Sequence, residues 1–367
     1  MTDLNRKIKA KIPGPDTGIE IRHTLCDICS PGMHCGINAY IRDGKVIKIE
    51  GTDGHPSNDG KLCTKGLSNR QYIYRKDRVK TPLLRTGPRG EGKFEPISWE
   101  DAYTKIAENL NQAKERYGAE SVVFYSGYSK WYRQMLRRFA YAFGSPNYGC
   151  ESSACYTAAF MAWKTAAGDQ GGPDMDHSDL FLGWAFNPFY SSYRGAEYAM
   201  KRKEEGLKFL IVDTRKTPAS EKLADLFLQP RSGTDGALAH AIANVLIKNG
   251  WIDLPYIRKY VYGFDEYAEY VSHFHENNIE KITGVPYHKV AAAAKLIHDN
   301  PRMSCNESSA PLCHHKNGFQ NYRAVMALLA ITGNFDRKGG QFLTPHSYMH
   351  VPCGFKTREE EYQYETC

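Results

Sequence analysis

The chain has 367 residues, which at about 150 residues per folding unit implies two or three units. With 41% hydrophobic and 24% charged residues it can bury a real core, so neither disorder nor a disulfide scaffold is expected. Lys and Arg outnumber Asp and Glu by only 48 to 41, too few and too dispersed for a nucleic-acid-binding face. No apolar stretch approaches the roughly 20 residues of a membrane span. Residues 1–21 hold no apolar run and no twin arginine, so a soluble, cytoplasmic chain is expected.

The first unit is expected over residues 1–80. Short alternating runs at 39–41 and 46–49 flank Asp43-Gly44, a hairpin signal. Around them stand Cys26, Cys29, Cys35 and Cys63. Four thiolates from one small unit suit a structural zinc or an iron–sulfur cluster. A zinc ribbon usually brings its second pair together as Cys-x2-Cys. Here 27 residues separate Cys35 from Cys63, which leans towards the cluster. A metal also compensates for a core too small to be stable alone.

Thr81-Pro82 and the glycine-rich stretch 87–92 mark a change of texture. Ser98, with Asp101 three residues on, predicts the cap of a helix running to Tyr117. A strand is predicted at 121–125 and a helix at 131–143. Short apolar strands follow at 180–183 and 209–212, helices at 234–249 and 285–299, then a strand at 302–306 and a helix at 318–331. This alternation predicts a parallel sheet covered on both faces. The expected division is residues 81–150 with 300–350 in one α/β domain, 151–299 in a Rossmann-like domain, and a loose glutamate-rich tail at 351–367.

Cys63-Thr64-Lys65-Gly66, then Asp77-Arg78-Val79-x-x-Pro82-Leu83 and Pro96-Ile97-Ser98-Trp99-Glu100-Asp101-Ala102, resemble the molybdenum or tungsten bis-pterin oxidoreductases, the dimethyl-sulfoxide-reductase superfamily. The likeness runs from about residue 22 to 345. It implies a [4Fe–4S] cluster on Cys26, Cys29, Cys35 and Cys63, with Lys65 on the electron path between cluster and pterin. One departure is the five-residue gap from Ser30 to His34, where many members have three; Pro31-Gly32 can absorb it in a turn.

Residues 143–147 look like the family segment that leads to the metal. Cys150 and Cys155 compete as the protein's ligand to molybdenum or tungsten. Cys155 matches better by distance, and a predicted apolar helix at 158–166 begins just beyond it, whose N-terminus would lower a thiol pKa. Tyr156 stands where formate dehydrogenases carry a histidine, which argues against formate.

The loop Gly183-x3-Asn187-Pro188 follows a strand, as phosphate-binding loops do. Asp213 follows the next strand, where ribose hydroxyls are received, with Arg215 and Thr217 after it. Ser232-Gly233-Thr234-Asp235 opens a helix, with Thr234 or Ser232 as its expected cap. The family uses this order of motifs for a pterin guanine dinucleotide, which implies Asn187, Asp213, Arg215 and Asp235 as cofactor contacts. His314 and His315, in the polar loop from Cys305 that also holds Asn306, Glu307 and Ser308, are expected at the surface near the pterins.

The family's catalytic chains continue into a C-terminal β-barrel domain that is absent here. The expected function is therefore the N-terminal part of a catalytic chain acting on a small molecule, moving oxygen, hydroxyl or hydrogen equivalents. A separate chain supplying the barrel and an iron–sulfur electron-transfer subunit are the expected partners. A non-redox hydratase of the acetylene-hydratase type, or a non-catalytic iron–sulfur fragment, are the alternatives.

Overall fold

The computed structural model describes residues 2–29, 34–128 and 132–343. Residues 30–33 of the cysteine loop, the expected helix start at Trp131 and the tail at 351–367 lie outside them. The chain divides into two compact units, one up to Glu151 and one from Ser152 onward.

The first unit begins with helix α1 (Asp3–Ala10) and a sheet of β1 (Glu20–Leu25), β2 (Gly36–Arg42) and β3 (Lys45–Gly51), antiparallel in that order. The β2–β3 turn has positive φ at both Asp43 (52°) and Gly44 (69°), the backbone a two-residue hairpin of this hand requires. Short helices α2 (Thr64–Leu67) and α3 (Asn69–Ile73) follow, then the hairpin of β4 (Leu83–Arg85) and β5 (Phe94–Pro96). Helix α4 (Trp99–Tyr117) starts where expected, because Ser98 Oγ accepts the Asp101 amide at 3.0 Å. The next strand, β6 (Phe124–Ser126), begins later than the sequence suggests because residues 119–121 make a turn of tighter helix. Helix α5 (Arg133–Phe143) and β7 (Tyr148–Cys150) close the unit, with β7 parallel to β6.

In the second unit α6 (Ser152–Cys155), α7 (Thr157–Ala167) and β8 (Gly171–Pro173) precede the central strand β9 (Leu180–Trp184). Then come α8 (Pro188–Ser191), α9 (Tyr193–Glu204), β10 (Lys208–Val212), α10 (Pro218–Lys222) and β11 (Leu226–Leu228). A helical stretch follows: α11 (Asp235–Lys248), α12 (Leu254–Tyr260), α13 (Phe264–Val271), α14 (Ile279–Thr283) and α15 (Tyr287–Asp299). Strand β12 (Met303–Glu307), α16 (Ser309–Cys313), α17 (Gly318–Ile331) and β13 (Gln341–Leu343) complete the described chain.

Four parallel strands lie in the order β11-β10-β9-β12. Alternate residues of a strand face opposite ways, and here both faces are apolar. Leu180, Leu182, Leu210 and Val212 pack with α7, α11, α15 and α17, whereas Phe181, Phe209 and Ile211 pack with α9 and α10. The pairing of β12 with β9 puts residues 303–307 in one sheet with strands of the 151–299 stretch, and residues 300–343 fall in the second unit rather than joining 81–150. Met303 and Cys305 are fully buried there, which explains the choice of edge.

His240 of α11 sits among Tyr267, Tyr270 and Phe274, with ring centroids 5.8, 5.2 and 5.2 Å away. Burial pulls its pKa down to about 4. The unfolded chain, with histidine near its usual value of about 6.5, therefore takes up a proton that the folded chain refuses. Stability should fall as pH drops from about 6.5 towards 4. His240→Gln should lose that part of the acid sensitivity, read as melting temperature against pH beside the parent; equal slopes would refute it.

Candidate functional site

Cys26 follows β1, Cys35 precedes β2, Cys29 lies in the turn after Cys26, and Cys63 caps α2. The Cys26 amide donates to the Cys35 carbonyl at 2.8 Å, and Asn69 Nδ2 donates to Cys26 Sγ at 3.3 Å. Burial pushes the Cys35 thiol pKa up, and Cys26, Cys63 and Cys29 push it further as thiolates. All four sulfurs thus share one electrostatic neighbourhood. Among the described residues, no three metal-type side chains are arranged to hold a single ion. Four half-buried thiols in one small unit are a donor set that an iron–sulfur cluster or a zinc ion can use. Lys65 is exposed, two residues beyond Cys63 on α2.

Asn58 holds this arrangement, and motif reading passed it over. It is 1% exposed, accepts the Gly36 amide at 2.7 Å, and donates to the carbonyls of Gly36 at 3.1 Å and Lys61 at 2.8 Å. It thereby ties the strand after Cys35 to the loop before Cys63. In the sequence it lies within a run of turn residues, and no local signal separates it from them.

In the second unit the candidates gather beyond the carboxyl ends of the parallel strands, where ligands of such sheets bind. Asn187 lies in the loop after β9, and its Oδ1 is shut off from solvent without a partner. A Cβ at Gly183 would lie 2.7 Å from Ile211 Cδ1 and 3.0 Å from Phe186 Cβ, so the glycine makes room for packing. Asp213 follows β10, takes the Arg215 amide at 3.2 Å, and has its pKa raised by burial. The Arg215 side chain is exposed, 6.0 Å from the Tyr190 ring centroid.

Asp235 opens α11, is 5% exposed, and accepts Trp184 Nε1–H at 2.8 Å. Burial raises its pKa and the Asp213 charge adds to that, against the Trp184 bond and His315. Thr234 does not cap the helix with its side chain; its hydroxyl turns back to the Arg231 carbonyl at 2.7 Å.

Cys155 ends α6, and α7 starts two residues later, so the thiol stands at a break between helices rather than on a helix N-terminus. Its carbonyl meets His314 Nε2 at 3.2 Å. Cys313 of α16 stands within electrostatic reach of both Cys155 and Glu307. Cys150 belongs to β7 in the first unit. His314 is exposed, as expected, while His315 is half-buried against Asn321 Nδ2 at 3.0 Å. A cavity of about 1280 Å³ elsewhere in this unit is lined by His240 and the tyrosines of α12 and α13, and by none of these candidates.

Comparisons with known proteins give the family. Residues 78–350 match the molybdopterin oxidoreductase family and residues 19–75 match its Fe4S4 domain. YoaE of Bacillus subtilis is 32% identical over 86% of this chain and 47% of its own length. Dimethyl sulfoxide reductase DmsA of Escherichia coli is 30% identical over 84% of this chain and 43% of its own. Among solved structures, acetylene hydratase from Pelobacter acetylenicus superposes with a TM-score of 0.75 at 27% identity, over 88% of this chain and 44% of that one. The chain spans about half the length of the relatives it matches. No helix among the described residues is long and apolar enough to cross a membrane. By this match over most of its length, the chain belongs to the molybdopterin oxidoreductase family and carries the family's Fe4S4 domain.

Proposed function

We propose that this chain is the cluster-bearing and nucleotide-binding part of a molybdenum or tungsten bis-pterin oxidoreductase acting on a small molecule. The observation that carries this is the gathering of Asn187, Asp213 and Asp235 at the carboxyl ends of β9 and β10, with one buried acceptor, Asn187 Oδ1, lacking any donor. A heterocycle rich in N–H groups, with ribose hydroxyls beside it, supplies the donors that these acceptors want. The group suits the residues present, and when bound it supplies two-electron chemistry at its metal.

The chain's own residues take the following parts. Cys26, Cys29, Cys35 and Cys63 hold the iron cluster, with Asn58 keeping their two halves together. Asn187, Asp213, Arg215 and Asp235 bind and orient the nucleotide. Cys155 offers a soft thiolate to a high-valent metal. Lys65, two residues beyond Cys63, sets a fixed positive charge beside the cluster and tunes its electron transfer. An iron–sulfur partner subunit and a second chain supplying a C-terminal domain belong to the same proposal. The likeness to acetylene hydratase favours, as second reading, hydration on the same cofactors. Turnover without an added electron donor or acceptor separates the two.

Anaerobically isolated protein should contain molybdenum or tungsten, pterin and iron; stoichiometric zinc without iron would overturn the reading. Cys29→Ser should abolish the broad visible absorbance of the cluster and expose the first unit to protease. In contrast, Lys65→Ala should leave iron and molybdenum or tungsten content intact while slowing turnover about tenfold or more. Loss of iron in that variant would make Lys65 structural.

Replacing a soft thiolate by a harder oxygen donor tests Cys155. Cys155→Ser should remove one sulfur neighbour in metal-edge X-ray absorption and largely abolish activity, with iron content unchanged. A missing sulfur in Cys150→Ser instead would move the ligand to β7.

A further inference from the structure

Glu307 ends β12, opposite Trp184 at the end of β9. The period of two along a strand puts it on one face with Cys305, and its carboxyl receives a hydrogen bond from that thiol. Its Oε1 is shut off from solvent and has no partner. The groups around it carry no positive charge. Tyr322 of α17 gives its hydroxyl to the Glu307 backbone carbonyl at 3.1 Å rather than to the carboxyl. Cys313 of α16 and Cys305 complete the surroundings, with Tyr156 at the start of α7 beyond Tyr322. A carboxyl placed this way costs folding stability, because a buried acceptor without a donor forfeits its hydration. Nothing in the packing of the second unit needs an acid here, since Met303, Ser304 and Cys305 already anchor the strand.

We propose that Glu307 is the proton-carrying residue of this site, its free oxygen exchanging a proton with a small molecule bound beyond the carboxyl end of β12. The inference rests on the proposed function, in which the second unit holds the nucleotide and offers Cys155 to the metal. In one direction the carboxyl O–H bond breaks, the proton passes to a basic atom of the bound molecule, and a carboxylate remains. In the other direction the carboxylate takes a proton back from an acidic atom of the bound molecule, so no electrons change hands and the residue is restored. Oε1 is free for this because neither Cys305 nor Tyr322 occupies it. Burial pushes the Glu307 pKa up to about 7, where both forms are populated near neutrality. Its neighbours stay protonated across that range: burial raises the Cys313 thiol to about 11, the Cys305 thiol well above its usual value, and the Tyr322 hydroxyl likewise. Only one group of the cluster therefore changes charge.

The test uses the anaerobically isolated holoprotein, its E307Q form and its E307D form. Infrared difference spectra between pH 5 and 9 should show a protonated-carboxyl band that titrates near 7 and is missing in E307Q. Dye-linked turnover, probed with dimethyl sulfoxide and reduced viologen, should fall about 100-fold or more in E307Q. The pH-dependent limb near 7 should vanish in E307Q and return in part in E307D, with iron, pterin and molybdenum or tungsten contents unchanged. A raised carboxyl pKa also means that the folded state loses stability as pH rises from the unfolded value of about 4.3 to 7. E307Q should accordingly gain in melting temperature over the parent at pH 8 and not at pH 4. A titration near 4, an unaltered pH profile in E307Q, or loss of pterin from E307Q would each overturn the proposal. If E307Q fails to fold, the infrared midpoint of the parent decides. Absence of molybdenum, tungsten and pterin from the parent would instead defeat the proposed function, which the infrared titration does not address.

Discussion

The hydrogen bond from Trp184 Nε1–H to Asp235 Oδ1 joins the end of the central strand to the first residue of the most buried helix. Both partners lie almost wholly out of water, so the bond does not compete with solvent and its loss would strand a carboxylate. Trp184 is also the register partner of Val212 and Glu307, on the two neighbouring strands. One tryptophan therefore fixes where β9, β10 and β12 end relative to α11. Asn187, Asp213 and Glu307 hang from those strand ends, and Asp235 is bonded to one of them.

The first unit solves its problem differently. Its three-stranded sheet buries little beyond Ile19, Ile37 and Ala39, far too small a core to hold four cysteines in place. Asn58 supplies part of the order through three hydrogen bonds to backbone, two of them closing a pair with Gly36. Burial and the three neighbouring cysteines push the Cys35 pKa upward, so a free thiolate there is poorly placed. A cationic cluster reverses the sign of that interaction, so metal and fold support each other.

Much of this was legible in the sequence where a pattern had length. The apolar runs of β9 and β10, the capped start of α4 and the whole of α17 lie within a residue or two of their expected positions. Helix α9 was not foreseen, because YRGAEYAMKRKE is mostly polar and seats only Ala196 and Ala199 against the sheet. The helices α12 to α14 escaped for a similar reason: each is one or two turns long and is held by tertiary contacts rather than by its own period. The candidate residues after β9 and β10 were found because strand ends carry a general rule about ligands. Asn58 and Glu307 follow no such rule. Each looks like a loop residue until the structure shows a polar side chain enclosed, one with all its partners and one without.

The acids beyond these strands share a sign that links site to stability. Burial raises Asp213, Asp235 and Glu307 alike, and the Asp213 charge raises Asp235 further. Asp235 is held by the indole N–H and a backbone N–H, with the more distant His315 adding a favourable charge. A folded protein that keeps buried acids with raised pKa values and two unpartnered oxygens, Asn187 Oδ1 and Glu307 Oε1, at one end of its sheet sits below its stability optimum in that region. Packing cannot repair this, because the unsatisfied atoms point where no protein donor reaches. A donor-bearing ligand can, and its binding energy is then set against a cost that the empty fold already carries. The fold is thus preorganised for donors: the acceptors are held by Trp184, by the Asp213–Arg215 turn and by the end of β12 before anything binds. That preorganisation is what a nucleotide-binding sheet with an internal proton carrier requires.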